Sequence, residues 1–376
     1  MMTQFFAYDA LTWPEVAQLP RDLPLVIPLG SGYSMENLAE ALSRPEQIAL
    51  LPPIPFGWRG SGLAVAEPLL AAMLAKLLDS LRDDGFSRVY ALVPQGIDLG
   101  LGPAGIHQPH ATQHQLRPAL PADSNRDKVI LMPIGHTEQH GYHLPLSTDN
   151  LIIEAIANGV AATVPEQAMT LPTMPYGVST HRASFAGTLN VTGRVFENFW
   201  LAIIDGLVAR GFNRMYLMSG HGGNCSFLVN VIKWAGERHR HIFCATAWLH
   251  TSGDIAGPIV QQTRRSGRGG MGHAGELETA MILHLRPDLT KMERVIDEID
   301  FISTPNYFMD WVEGGALIAN PPWEDDTATG AYGAGSLATA ENGNIWLTAG
   351  IAEKVAHVAE IHEQYQRRRL VKSGKL

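Results

Sequence analysis

Short apolar runs alternate along this chain with longer stretches whose apolar residues recur at helical spacing. Residues 25–29, 89–93, 129–133, 169–172, 214–218 and 241–248 read as strands. Residues 64–83, 150–161, 194–210, 226–238, 276–285 and 344–368 read as helices. Strands that alternate with helices predict an α/β fold, a mostly parallel sheet sandwiched by helices. In that architecture ligand sites gather beyond the carboxyl ends of the strands.

The N-terminal third is echoed by the later part of the chain. VIPLG at 26–30 echoes LMPIG at 131–135, LPPIPFG at 51–57 echoes LPTMPYG at 171–177, and LRDDGFSRVY at 81–90 echoes LVARGFNRMY at 207–216. The echoes keep their order, which predicts a degenerate partial N-terminal repeat. Residues 1–96 form that half-repeat, 97–126 a Gly/Pro/His/Gln-rich linker or arm, and 127–376 the part with candidate chemistry. The half-repeat must bury its apolar faces on the rest of the chain or on another subunit.

Composition narrows the classes. The chain has 376 residues, 45% hydrophobic and 17% charged, which suits a soluble enzyme with a large core. Its net charge is −9, and Arg367, Arg368 and Arg369 form its one short basic run, so no nucleic-acid partner is expected. No apolar run has the length of a membrane span, and the first residues lack a secretion-signal pattern. With only Cys225 and Cys244, no disulfide framework is indicated and the cytoplasm is the expected compartment.

The chemistry concentrates in three segments. GHTEQHGYHLPLSTD at 135–149 comes directly after a strand-like run and carries Glu138, His140, His143 and Asp149. Glu138 and His140 are two apart, so on extended backbone they point the same way. SGHGGN at 219–224 places His221 just after another strand, and HAGELET at 273–279 places His273, Glu276 and Glu278 at the start of a helix. Imidazoles and carboxylates are the donors that hold Zn²⁺ or Mn²⁺, so these loops suggest a two-metal hydrolytic site. Plainer readings exist for each. Asp149 suits a helix N-cap, Glu276 or Glu278 complements the positive end of a helix, and His143 orients a ligand, binds substrate or packs.

These three segments, in this order, resemble the creatininase (creatinine amidohydrolase) family from about residue 127 to about residue 361. The stretch YGVSTHRASFAGTL at 176–189, with His181, and TAENG at 339–343 belong to the likeness. The resemblance implies a creatininase-like α/β domain with two divalent metal ions per chain, Zn²⁺ or Mn²⁺, and a homo-oligomer, a hexamer in the family. It implies Glu138, His140, Asp149, His221 and Glu278 as metal ligands, with Asp149 shared, and His273 as the catalytic proton carrier. His143, His181, Gly222, Gly223 and Glu276 are expected to contact substrate. Two departures point away from creatinine itself: Gly223 and Gly272 stand where creatinine-cleaving members carry acids.

The expected function is metal-dependent hydrolysis of a small polar, cyclic substrate, with a water activated between two cations. C–N cleavage of an amide or lactam leads. C–C hydrolysis of a cyclic diketone such as 3-dehydro-scyllo-inosose is the alternative, and a non-catalytic assembly or maturation protein is a further one.

Overall fold

A computed structural model of the protein describes residues 2–109, 121–180 and 184–375. The first half runs β1 (Gln4–Ala7), α1 (Trp13–Gln18), β2 (Leu25–Pro28), α2 (Met35–Ala41), β3 (Gln47–Leu50), α3 (Glu67–Asp83), β4 (Val89–Pro94) and β5 (Gly105–Gln108). The second runs β6 (Val129–Ile134), α4 (Thr148–Thr163), β7 (Ala168–Thr170), α5 (Gly193–Ala209), β8 (Arg214–Ser219), α6 (Gly222–Arg238), β9 (Phe243–Thr246), α7 (Ala256–Thr263), α8 (Glu276–Leu285) and α9 (Ala340–Lys372). Among the described residues two sheets form, ordered β1-β3-β2-β4-β5 and β7-β6-β8-β9, and their strands pair in parallel.

Strand alternation decides which layer each side chain enters. In β6, Val129 and Leu131 join the cluster under α4, α8 and α9, while Ile130, Met132 and Ile134 face the opposite way. Those three share one apolar cluster with Leu25 and Ile27 of β2. Between the sheets lie α3 and α5, and Phe56 stacks on Phe199 at 6.3 Å and meets Trp200 edge-on at 6.1 Å. The outer face of the first sheet is covered by α2 through Val26, Leu38 and Leu42. The apolar faces of the N-terminal half are therefore buried within the same chain.

The echoed segments occupy equivalent places. Order β3-β2-β4-β5 matches β7-β6-β8-β9. Leu51 N donates to Val26 O at 2.9 Å as Leu171 N does to Leu131 O at 2.9 Å, and Phe86 N to Leu81 O at 3.1 Å as Phe212 N to Leu207 O at 3.1 Å. Two expectations need correction. Segment 97–126 contains a strand, β5, hydrogen-bonded along β4. A parallel edge strand needs only backbone pairing, so its Gly/Pro-rich surroundings hid it. The strand read at 241–248 is shorter, and Trp248 lies beyond it, 47% exposed.

Candidate metal centre

The site forms where β6, β8 and the N-termini of α4, α6 and α8 meet. Gly135, just after β6, approaches α4 so closely that a Cβ there would lie 2.1 Å from Asn150 Oδ1. This approach brings the first turn of α4 to the strand end. Asp149 is the second residue of that helix rather than its N-cap, which is Ser147. Asn224, in the first turn of α6, donates to Gly135 O at 3.1 Å and accepts from Val178 N at 3.0 Å, tying three segments together. The loop between Glu138 and Asp149 is braced from the N-terminal half: Leu146 N donates to Leu11 O at 2.9 Å and Ser147 N to Asp9 O at 3.0 Å.

Backbone carbonyls fix the histidine tautomers. His140 Nδ1 lies 3.1 Å from Glu138 O, His221 Nε2 3.0 Å from Val178 O and His273 Nε2 2.8 Å from Gln139 O. A carbonyl only accepts, so His140 Nδ1 and His221 Nε2 carry a proton; His273 Nε2 also meets the Gln139 amide nitrogen at 3.2 Å, and the shorter carbonyl contact favours a proton there too. The opposite nitrogen of each ring faces inward, toward the carboxylates. His140 Nε2 is 3.2 Å from Asp149 Oδ1 and 3.7 Å from Glu278 Oε2. His221 Nδ1 is 2.9 Å from Glu138 Oε1 and 3.2 Å from Asp149 Oδ2. His273 Nδ1 is 3.7 Å from Glu138 Oε1 and 3.9 Å from Glu278 Oε2.

Among the described residues, three overlapping groups have donor atoms within 4.8 Å of one another: His136/Glu138/His221, Glu138/His140/His273 and His140/Asp149/Glu278. All are buried. His136 was missed in the sequence, although it sits two residues before Glu138 on the same extended segment.

Glu276 accepts from Arg265 N at 2.9 Å and Ser266 N at 2.7 Å, so its carboxylate pins a loop. His143 is buried with Nε2 2.9 Å from Thr279 Oγ1 of α8, outside the three groups. Gly223 is enclosed: a Cβ would stand 2.3 Å from Val178 O and 2.4 Å from His221 Nε2. The fold thus leaves no room for an acid at that position. Gly222 instead lies beside the indoles of Trp311 and Trp248, which meet at 6.1 Å. His181 falls outside the described residues.

The charge balance fits divalent cations. Glu138, Asp149 and Glu278 are three carboxylates buried together. Burial pulls the His221 imidazole down, but Glu138 and then Asp149 outweigh it and carry its pKa up to about 9. In His140 burial likewise opposes Asp149, and the carboxylates prevail. The pocket therefore demands positive charge at these ring nitrogens, which imidazolium protons or cations satisfy. Outward N–H groups anchored on carbonyls are the usual support for histidine ligands.

A fold with this buried donor set is that of a metal-dependent hydrolase. The family profile for creatinine amidohydrolase matches residues 113–358. Creatinine amidohydrolase of Pseudomonas putida is 31% identical over 185 residues, 46% of this chain and 69% of that protein. Mycofactocin precursor peptide peptidase of Mycolicibacterium smegmatis is 30% identical over 182 residues, and the match spans 63% of that protein. The 3-dehydro-scyllo-inosose hydrolase of Thermotoga maritima is 27% identical over 210 residues, spanning 61% of it. A manganese form of creatininase is 25% identical with TM-score 0.54, covering 63% of this chain and 93% of that one. A zinc–zinc form of a creatininase variant also gives a TM-score of 0.54. The chain belongs to the creatininase family.

Proposed function

We propose that this protein is a two-metal amidohydrolase cleaving a C–N bond of a small polar amide. The supporting observation is Asp149, whose Oδ1 and Oδ2 each stand 3.2 Å from a different inward-facing imidazole nitrogen, His140 Nε2 and His221 Nδ1. On this reading Glu138 and His221 hold one ion, His140 and Glu278 the other, and Asp149 is shared between them. Nitrogen and carboxylate donors suit Zn²⁺ or Mn²⁺. When bound, the two cations supply Lewis acidity and make water a nucleophile near neutral pH. The chain's own residues do the rest. His273 keeps Nε2–H on the Gln139 carbonyl, so it takes up and returns the proton at Nδ1, on the inward side. Backbone N–H of Gly222, the first residue of α6, adds a donor for charge developing on the substrate oxygen. Trp248 and Trp311 beside it give a flat apolar wall for a ring or side group.

Similarity to a creatinine amidohydrolase and to a precursor-peptide peptidase supports amide cleavage. The second reading, C–C hydrolysis of a cyclic diketone, draws on the inosose hydrolase relative. The intact donor set speaks against a non-catalytic role. A homo-oligomer is part of the proposal. No described helix is long and apolar enough to cross a membrane.

The test is turnover by metal-loaded protein of a lactam, a short peptide and a cyclic diketone, beside elemental analysis. Amide turnover with two ions per chain is expected. Turnover of the diketone alone replaces the first reading with the second, and protein that takes up no divalent ion ends both.

A further inference from the structure

His136 stands beside Glu138 and His221, and its residue type and place invite reading it as one more ligand. Its hydrogen bonding argues otherwise. The Gly177 backbone N–H donates to His136 Nδ1 at 2.9 Å. A backbone N–H can only donate, so Nδ1 carries the lone pair and the neutral ring holds its proton on Nε2. His136 Nε2 is the nitrogen that faces the site, 3.9 Å from Glu138 Oε2. This is the reverse of His140, His221 and His273, whose outward nitrogens face carbonyls and so leave the inward nitrogen to take either a proton or a cation. One imidazole in the pocket thus presents a positive N–H edge where the others present donor atoms.

We infer that His136 is a positioning residue for Glu138 and not a metal ligand. Its N–H edge faces Oε2, whereas Oε1 is the oxygen beside His221 Nδ1 at 2.9 Å and His273 Nδ1 at 3.7 Å. At 3.9 Å the N–H edge is beyond hydrogen-bond reach and acts on Oε2 as a dipole, favouring the rotation that presents Oε1 to the two rings. The His136 ring is itself held on two sides, by Gly177 N–H and by the His221 ring, whose centroid lies 4.5 Å away at 32°. Glu138 and His136 are both 0% exposed, so water does not compete for either group. The inference rests on the metal centre proposed above.

The test compares three proteins: wild type, His136→Ala and His136→Gln. The glutamine amide keeps an acceptor for Gly177 N–H and an N–H for Glu138, but offers no ring nitrogen. Stepwise Zn²⁺ affinities come from competition with a chromophoric chelator, and coordination from the visible absorption of the Co²⁺-loaded protein. Wild type taking up no metal would end the parent proposal and is measured first. His136→Ala should bind the same number of ions, one of them roughly 10–100-fold more weakly, the range for removing a residue that orients a ligand. Its Co²⁺ absorption should keep wild-type intensity, and His136→Gln should restore most of the affinity. Should His136→Gln be as weak as His136→Ala with a changed Co²⁺ band, the ring is a direct ligand and the inference falls. It falls equally if both variants bind metal as tightly as wild type, which leaves His136 a packing role alone. If the alanine protein does not fold, the glutamine protein decides: near-wild-type affinity and absorption uphold the inference, and a lost ion or altered band overturns it.

Discussion

The Val178 carbonyl accepts the Nε2 proton of His221 at 3.0 Å, and the same oxygen would lie 2.3 Å from a Cβ on Gly223. One backbone atom thus fixes the ring tautomer and forbids a side chain two residues later. Gly223→Ala should push this carbonyl aside and release His221, weakening metal binding by roughly 10–100-fold. Gly222→Ala should be tolerated, since its nearest neighbour is the Trp311 ring at 3.4 Å. Chelator competition on both variants checks the contrast. Equal affinities would separate the carbonyl from the site's chemistry.

Asp149→Ala is expected to lose both ions together, because its two oxygens face the two imidazoles separately. Glu278→Ala should lose one. His273→Ala should keep two ions yet turn over roughly 10²–10⁴-fold more slowly, as for a lost acid–base group. Metal content by elemental analysis beside rates on the same samples decides this, and a site emptied by His273→Ala would make that ring a ligand.

Stability should depend on pH through buried groups of opposite sign. His250 is 0% exposed, and burial, then the Lys354 cation, hold its pKa down to about 4. Its folded pKa is below the ordinary 6.5, so the unfolded chain binds more protons between these values. Relative to His250→Leu, wild type should lose stability as pH falls from 6.5 to about 4, by at most about 1.4 kcal/mol per unit. Asp84 behaves oppositely. Burial pushes its carboxyl up to about 6, so against Asp84→Asn wild type loses stability as pH rises through that range. Urea unfolding midpoints across the pH range measure both, and parallel curves would refute the linkage.

Removal of residues 1–121 should do more than change assembly. It uncovers Phe199 and Trp200 and deletes the Leu11 and Asp9 carbonyls that hold Leu146 and Ser147. The truncated chain is expected to aggregate or to bind metal poorly; a soluble, active product by light scattering and assay would show a detachable domain. In the full chain Trp200→Ala should cost about 3–5 kcal/mol, as large aromatic truncations in cores do.

The sequence by itself determined the alternation of strands and helices, the two halves with matching order, and the segments that carry donors. Apolar period and Gly/Pro punctuation are local properties, so α8 at Glu276–Leu285 coincides with its expectation at 276–285. Even Glu138 and His140 converge as their two-residue spacing implies. Tertiary structure decided where each donor points. Glu276 and Glu278 are chemically alike and two apart, yet one carboxylate is taken by the amides of Arg265 and Ser266 and the other stands 3.7 Å from His140. His136 and His140 flank Glu138 symmetrically in sequence, but a backbone donor meets one ring and a backbone acceptor the other. Strand β5 escaped notice because an edge strand is held by its neighbour's main chain. Hydrogen-bond polarity and pairing come from segments distant along the chain, and only folding brings those segments together.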